Sequence, residues 1–381
     1  MKRSLELYFH IPFCVKKCAY CDFLSAPAGE QDRRAYMEAL CAETIGRAPE
    51  YGDYTVVSVF IGGGTPSVVE KEQIGALLTA VRECYDLAED AEITMEVNPG
   101  TVTEENLRFY HEAGVNRLSI GLQSTHDEEL KMIGRIHTFA QFLEAYQGAV
   151  AAGFTNINVD LMSALPGQNA ESYRQSLEAV LDLTPPPRHI SAYSLILEEN
   201  TPLYDAVEQG KVTLPGEDAD RELYEMTEAI LKAKGYHRYE ISNYAKTGYE
   251  CRHNVGYWIR REYVGFGIGA ASLVDHVRFK NADQLTTYLQ DPLGCREETE
   301  ILSKEAEMEE FLFLGLRLTE GISPKSFEAE FGTNLRDVFG EVINKNIEDG
   351  LLAYSEDEKR LALTGRGLDL SNYVFAQFLL T

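Results

Sequence analysis

The sequence predicts an α/β protein, a partial (β/α)6 barrel followed by a small winged-helix-like C-terminal domain. Short β-rich segments alternate with longer helical segments from residue 5 to about 197, and the predicted strands have one apolar and one polar face. Three helical patterns and then a β-hairpin pattern lie between residues 303 and about 370. The first two observations predict the barrel, and the third predicts the small domain.

Six strands and five helices account for the alternation. The strands are short segments rich in β-branched and aromatic residues, and the segments between them have helical periodicity. The predicted strands lie near residues 5–10, 55–61, 92–97, 116–122, 155–161 and 189–196. The predicted helices lie near residues 31–48, 70–85, 103–113, 138–152 and 170–183.

Strand parity favours a barrel over a flat sheet. In the third strand Ile93, Met95 and Val97 share one face, and Thr94 and Glu96 share the other. A flat, doubly wound sheet is covered by helices on both faces and favours apolar residues on both. An open barrel can instead turn a polar inner face toward a ligand. We therefore expect the polar faces to line an interior site.

Four candidate ligand contacts fall at the carboxyl ends of predicted strands. Ligand-binding groups of barrels and of open parallel sheets gather at these ends. The carboxylates among them share the inward parity, which favours a ligand contact over a solvated position at a strand end. The four candidates are Tyr8, Glu96, Gln123 and Asp160.

Three cysteines follow the first strand closely, at Cys14, Cys18 and Cys21. A disulfide framework needs an even number of partners and an oxidising compartment, and a closed structural zinc site usually has four ligands. A four-iron cluster held by three thiolates leaves one iron open to a ligand from outside the protein. The spacing therefore favours an iron–sulfur cluster, with a partial zinc site or three buried thiols as the alternatives.

A glycine-rich turn follows the second strand, in Gly62-Gly-Gly-Thr-Pro66. Glycines let the backbone approach a ligand closely and expose its N–H groups, so a carboxylate or an amino-acid group can lie along the turn. A plain turn before a helix is the alternative. Arg135 is a candidate partner for a ligand carboxylate, although a single loop arginine is more often a surface charge.

The single tryptophan lies in Cys251-Arg-His-Asn-Val-Gly-Tyr-Trp258, an HNxxYW motif. Aromatic planes beside an imidazole can contact a flat macrocycle, with His253 as an axial iron ligand. A structural corner, with Trp258 in the core and His253 hydrogen-bonded, explains the motif equally well.

Composition excludes two classes of function. The chain has 381 residues with 61 acidic and 35 basic side chains, and its net charge of −26 repels phosphate backbones, so we expect no nucleic acid partner. No apolar run approaches the roughly 18 residues that span a membrane. Cysteines outside the first group are scattered singly, which suits a reducing compartment. We therefore expect a cytoplasmic protein.

Seven motifs resemble one family over nearly the whole chain. The C-x3-C-x2-C spacing, with Tyr20 before the last cysteine, resembles the radical S-adenosylmethionine (SAM) superfamily. The complete set resembles the oxygen-independent coproporphyrinogen III oxidase family and, within it, the HemW-type haem chaperones. The motifs are LYFHIPFCVKKCAYCDF, FIGGGTPS, ITMEVNPGT, LSIGLQS, GRIH, INVDLMSALPGQ and CRHNVGYW.

The resemblance implies two cofactors and their contacts. In that superfamily the open iron of a 4Fe-4S cluster binds SAM, and the reduced cluster can cleave SAM to a 5'-deoxyadenosyl radical. The implied cluster ligands are Cys14, Cys18 and Cys21. The implied SAM contacts are Tyr8, Tyr20, Gly63, Gly64, Thr65, Glu96, Gln123, Arg135 and Asp160.

Two features resemble the chaperones more than the oxidases. Oxidases have a fourth nearby cysteine where this chain has Phe23, and HNxxYW is typical of the HemW type. The resemblance implies haem as cargo, delivered to acceptors such as respiratory haem proteins, without oxidase activity. The alternative is radical SAM decarboxylation of coproporphyrinogen III to protoporphyrinogen IX. Ala271 stands where the family often has a histidine, which leaves His253 as the main candidate haem ligand.

We predict three units along the chain. Residues 1–240 form the radical SAM barrel with the cluster and SAM site, residues 241–300 form a connecting region with the HNxxYW motif, and residues 301–381 form the winged-helix-like domain. The sequence leaves a dimer and a peripheral contact with a membrane open.

Overall fold

Six parallel strands form the centre of the sheet in this computed structural model, which describes residues 2–357 and 359–380. Met1, Glu358 and Thr381, which fall in the predicted first and last units, lie outside the described residues. The neighbouring strands pair in parallel, as a barrel requires. They are β1 (Arg3–Ile11), β2 (Tyr54–Gly63), β3 (Leu87–Val97), β4 (Arg117–Gln123), β5 (Ile157–Ser163) and β6 (His189–Ser194).

The predicted helices connect these strands, and one short helix was not predicted. That helix, α4, has only six residues, too few to display a clear helical periodicity. Two more helices follow β6. The helices are α1 (Glu30–Arg47), α2 (Lys71–Cys84), α3 (Glu104–Glu112), α4 (Asp127–Met132), α5 (Phe139–Ala151), α6 (Ala170–Leu181), α7 (Pro202–Glu208) and α8 (Glu217–Ala233).

Six further strands extend the sheet at both ends. Their order is β12-β11-β10-β9-β1-β2-β3-β4-β5-β6-β8-β7, so the described strands do not close on themselves and the partial barrel is confirmed. The added strands are β7 (His237–Arg238), β8 (Asn243–Ala245), β9 (Tyr263–Phe266), β10 (Ala271–Val274), β11 (Val277–Asn281) and β12 (Arg296–Ile301), with helices α9 (Arg252–Trp258) and α10 (Leu285–Gln290) among them.

The alternating parity places an apolar layer on one side of the sheet. In β1, Leu5, Leu7, Phe9 and Ile11 are fully buried in the main core, where the amphipathic helices pack. Burying one such side chain contributes roughly 1.5–3 kcal/mol. The opposite face of the central strands is polar and leads toward an interior cavity. None of the helices in residues 2–357 and 359–380 is long and apolar enough to cross a membrane.

The C-terminal unit has its own hydrophobic core and the predicted order of three helices and a hairpin, which confirms the winged-helix-like domain. The units' boundaries stay predictions, and β8 and β9 of residues 241–300 pair with β6 and β1 of the barrel. The elements are α11 (Lys304–Gly315), α12 (Pro324–Phe331), α13 (Leu335–Glu348), β13 (Leu352–Tyr354), β14 (Leu361–Leu363), α14 (Gly365–Asp369) and α15 (Ser371–Ala376).

Candidate functional site

A cavity of about 450 Å³ lies at the carboxyl ends of the parallel strands. Its walls come from the cysteine loop after β1, the glycine turn after β2, and residues at or near the ends of β3 to β6. The structure brings eleven of the thirteen predicted site residues to this cavity: Cys14, Cys18, Tyr20, Cys21, Gly63, Gly64, Thr65, Glu96, Gln123, Arg135 and Asp160.

Backbone hydrogen bonds fix the cysteine loop against the barrel. Cys14 N donates to Ala26 O at 3.2 Å, and Ala19 N donates to Ile133 O at 2.9 Å. Among the described residues, no group of three or more His, Cys, Asp or Glu side chains converges as ligands of a single metal ion do.

A polar network contacts two of the three thiols. Thr65 Oγ1 lies 3.7 Å from Cys14 Sγ, and Arg135 Nη1 lies 3.6 Å from Cys18 Sγ. Asn98 joins the two donors, since its Nδ2 donates to Thr65 Oγ1 at 2.7 Å and its Oδ1 accepts from Arg135 Nη2 at 2.7 Å. Donors beside ligand sulfurs orient them and stabilise their negative charge.

Asn98 is a site residue that the sequence reasoning missed. It follows β3 by one residue and lines the cavity. A polar side chain just past the carboxyl end of a strand is the signal in the sequence that could have identified Asn98, because strand parity applies only to residues within the strand.

Arg135 retains one hydrogen-bonding group for a ligand. Besides its contact with Asn98, its Nη2 donates to Gly121 O at 2.5 Å. Its Nε is buried without a partner among the described residues. A buried, unpaired guanidinium N–H is costly, and the carboxylate of an amino acid is a fitting acceptor. This orphan donor fits the expected carboxylate end of SAM.

The glycine turn is required by close packing of two chain segments. Gly63 has φ 108°, in the region that favours glycine, and a Cβ there would lie 2.4 Å from His10 Nδ1. A Cβ on Gly64 would lie 2.6 Å from the Phe13 carbonyl oxygen. Larger residues at these positions would push the turn away from β1 and the cysteine loop.

The expectation that this turn exposes free N–H groups is wrong. Gly63 N donates to Glu96 Oε2 at 3.0 Å, and Gly64 N and Thr65 N donate to carbonyls of the segment that ends β1 and begins the cysteine loop. The glycines therefore serve close approach, while the polar side chains around the turn offer the groups that a ligand can reach.

Two half-buried carboxyl groups, Glu96 and Asp160, face the cavity. Burial, with the nearby Asp160 carboxyl as a smaller cause, raises the pKa of Glu96 to about 8. Burial also raises the pKa of Asp160, although Asn158 Nδ2 donates to its Oδ1 at 2.7 Å. Carboxyl groups whose ionised forms are poorly solvated favour a cationic ligand, because its charge replaces the lost solvation.

The side of the cavity near the cysteine loop contains two tyrosines and a strained glutamine. Gln123 has φ 72°, rarely adopted outside glycine, and its Oε1 accepts from Tyr193 OH at 3.0 Å. Such strain is often retained where a side chain must be aimed at a ligand. Tyr20 packs on the small apolar cluster of Ile133, Met162 and Leu165, and this packing attaches the cysteine loop to the barrel.

Tyr8 and His253 do not line the cavity, unlike the other predicted site residues. Tyr8 OH lies 3.1 Å from His10 Nδ1, and the Tyr8 ring lies 6.4 Å from the His253 ring. His253 is 1% exposed, with Nδ1 2.8 Å from Ser58 Oγ and Nε2 3.1 Å from Tyr257 OH. Both imidazole nitrogens therefore have protein partners, and ligation of haem iron would require this packing to open.

A chain of buried hydrogen bonds connects the cavity floor to the HNxxYW helix. From Asp160 it passes through Asn158, whose Oδ1 lies 2.6 Å from His189 Nδ1. His189 Nε2 lies 2.9 Å from Tyr239 OH, which accepts from Cys251 N at 3.3 Å. Cys251 is the residue before α9, so this helix packs on the same interior polar layer as the cavity floor.

Comparison with known proteins gives matches over the whole chain. The radical SAM superfamily model matches residues 8–180, and the HemN C-terminal domain model matches residues 302–370. "Heme chaperone HemW" of Lactococcus lactis is 39% identical over 381 residues, 100% of this chain and 98% of that protein. The protein of the same name from Bacillus subtilis is 37% identical over 377 residues, 98% of each chain.

A solved structure agrees over the same length. Coproporphyrinogen III oxidase (HemN) from Escherichia coli, described as a radical SAM enzyme, superposes with a TM-score of 0.86. It is 25% identical and covers 100% of this chain and 91% of its own. The identity to the heme chaperones is higher over an equal span. This chain belongs to the HemW family within the radical SAM superfamily.

Proposed function

We propose that this protein is a haem chaperone that carries a 4Fe-4S cluster, binds SAM and transfers haem to acceptor haem proteins. The observation that carries the proposal is the similarity, end to end, to proteins named heme chaperone. The cavity supports the cofactor part, because three thiols, an unpaired arginine N–H and two half-buried carboxyl groups with raised pKa values surround one space.

The side chains of the cavity have distinct proposed roles. Cys14, Cys18 and Cys21 hold the cluster, which together with SAM supplies reductive cleavage chemistry when both are bound. Arg135 pairs with the SAM carboxylate, held in place by Asn98. The remaining proposed SAM contacts are Tyr20, Gly63, Gly64, Thr65, Glu96, Gln123 and Asp160, with Tyr8 behind them.

We propose cytoplasmic haem transfer, with respiratory haem proteins among the acceptors. The barrel, residues 1–240, holds the cofactors, and residues 241–300 and 301–381 form the connecting and winged-helix-like units. The strongly negative charge of the chain argues against a nucleic acid partner for the winged helix.

Coproporphyrinogen III oxidase activity is the second candidate, favoured by the HemN superposition. Phe23 argues against it, because the oxidases that the sequence resembles have a fourth cysteine at this position. The acidic chain also offers few cations for a substrate with several carboxylates.

Two assays run side by side test the proposal. Reconstituted protein is titrated with haemin, and the haem-loaded protein is mixed with an apo haem protein while the absorbance of the acceptor is followed. In parallel, protein with SAM and a reductant is incubated anaerobically with coproporphyrinogen III. We expect haem binding and transfer without protoporphyrinogen IX. Robust formation of protoporphyrinogen IX contradicts the chaperone proposal. So does protein that does not bind haemin, or that binds haemin but does not transfer it to the acceptor.

The pKa of Glu96 predicts a pH-dependent affinity for SAM. Because burial raises the pKa of Glu96 to about 8, the carboxyl is mostly protonated at pH 7 and must ionise to pair with a cationic ligand. We expect affinity to rise with pH up to about 8, by at most roughly tenfold per pH unit.

Calorimetric titration of SAM into reconstituted protein between pH 6.5 and 8.5 measures this dependence. Glu96→Gln, which cannot ionise, should bind more weakly with a flatter pH profile. A wild-type affinity that does not change over this range contradicts an ionised Glu96 in the complex.

A further inference from the structure

Four exposed apolar side chains gather at the mouth of the cavity. Val15 and Phe23 of the cysteine loop are 59% and 61% exposed, Ile136 after α4 is 51% exposed, and Ile196 after β6 is 70% exposed. All four line the cavity. Because they come from three separate segments of the chain, the fold itself assembles them. We call these four residues the apolar rim.

The rim contrasts with the floor of the same cavity. The floor contains carboxyl, amide and hydroxyl groups, such as Glu96, Asp160 and Ser119, whereas the rim exposes an aromatic ring and three branched side chains. Exposed apolar groups that border a concave site commonly mark a ligand or partner surface. A ligand on this rim would place a large apolar body over the opening.

We propose that haem docks on the apolar rim, across the mouth of the cluster cavity. This inference rests on the proposed haem chaperone function and names the place of the cargo. The flat apolar macrocycle suits a rim of aliphatic and aromatic side chains, and Phe23 can stack on it. Lys16, exposed on the same mouth, provides a cation for a propionate in a chain that is otherwise strongly acidic.

The position of Phe23 strengthens the assignment. The Phe23 ring is mostly exposed to solvent and is not part of the main core. The backbone carbonyl oxygen of Phe23 accepts a hydrogen bond from Lys17 Nζ at 2.9 Å. Its loop also contains the three cluster cysteines. Binding of an apolar ligand at the mouth of the cavity would remove this exposed ring from water, which is favourable.

The HNxxYW helix, α9, is the alternative haem-binding site, and its packing disfavours haem binding there. The His253 ring is buried, both its nitrogens have partners, and it stacks on Phe60 with the ring centroids 5.1 Å apart. Haem at that position requires the loss of these contacts. Binding of haem on the apolar rim requires no such rearrangement, because the rim side chains are already exposed. A partly exposed binding site also suits a ligand that must be released to an acceptor.

Charge substitutions on the rim test the inference in the full-length reconstituted protein. We expect the double variant Phe23→Glu, Ile196→Glu to bind haemin at least roughly tenfold more weakly than wild type in a Soret titration, since a carboxylate replaces each apolar contact. The matched control is Ile301→Glu, because Ile301 is 79% exposed on β12 and does not line the cavity. The control should bind as wild type does.

A second variant distinguishes loss of the haem-binding surface from loss of the folded structure. Phe23→Leu, Ile196→Leu keeps the rim apolar and should retain haemin binding, and bound haemin should slow the release of SAM from wild type by covering the mouth. Equal haemin affinity of the glutamate variant and wild type overturns the inference. So does normal haemin binding by that variant with failed transfer, which would assign the rim to the acceptor protein.

Haemin binding by the wild-type protein tests the proposed function, and haemin binding by the rim variants tests the proposed location of haem. If the wild-type protein does not bind haemin, the chaperone proposal fails, and the proposed haem site on the apolar rim fails with it. If wild type binds and transfers haem but the rim variants do so equally, only the location is wrong.

Discussion

Serine in place of Cys18 is expected to leave iron and sulfide at background level after anaerobic reconstitution. Three thiolates are the minimum that anchors the proposed cluster, and a serine hydroxyl is a far poorer ligand for iron than a thiolate. Cys18 also accepts a contact from Arg135, so its loss removes both a ligand and the partner of an orienting donor. Iron and sulfide analysis with the visible absorbance of the cluster measures the effect.

Cys84→Ser is the matched control for this experiment. Cys84 is a free thiol at the end of α2, is partly buried, and does not line the cavity. Its variant should reconstitute as wild type does. Cluster content that survives in Cys18→Ser, or wild-type protein that takes up one zinc ion in place of iron and sulfide, contradicts the assignment of the three thiols.

The central fold was predictable because its information is local. Each of β1 to β6 carries its own alternation, and the intervening helices carry their own periodicity. Among the strands that extend the sheet, β7 and β8 have only two and three residues, too few for an alternating pattern. Their partners are also distant, since β9 pairs with β1 across most of the chain. Only tertiary packing defines such strands.

The site was predictable to the extent that strand ends define it. Parity gave the inward face of Glu96 and Asp160, which both line the cavity. Parity does not give the position along a strand, and Tyr8 lies three residues before the end of β1, with its OH 3.1 Å from His10 Nδ1. Parity therefore places Tyr8 on the polar face of β1, but Tyr8 does not line the cavity.

Alanine in place of His253 is expected to lower the free energy of unfolding by about 2–4 kcal/mol. The substitution leaves Ser58 Oγ and Tyr257 OH without their imidazole partners and opens a space beside Phe60. Burial, followed by Arg117 and Arg261, lowers the pKa of His253 to about 3, so the ring is neutral and its loss removes hydrogen bonds and packing. Denaturant unfolding at neutral pH measures the change.

The same variant decides between a structural histidine and a haem ligand. His276→Ala is the control, because His276 is mostly exposed and its ion pair with Glu307 is a surface contact worth at most about 1 kcal/mol. We expect folded His253→Ala to bind haemin as wild type does while unfolding at lower denaturant concentration. Unchanged stability with lost haemin binding would instead make His253 an axial ligand. The helix would then have to open to reach haem, and the buried hydrogen bonds that now hold it would break in every loading event.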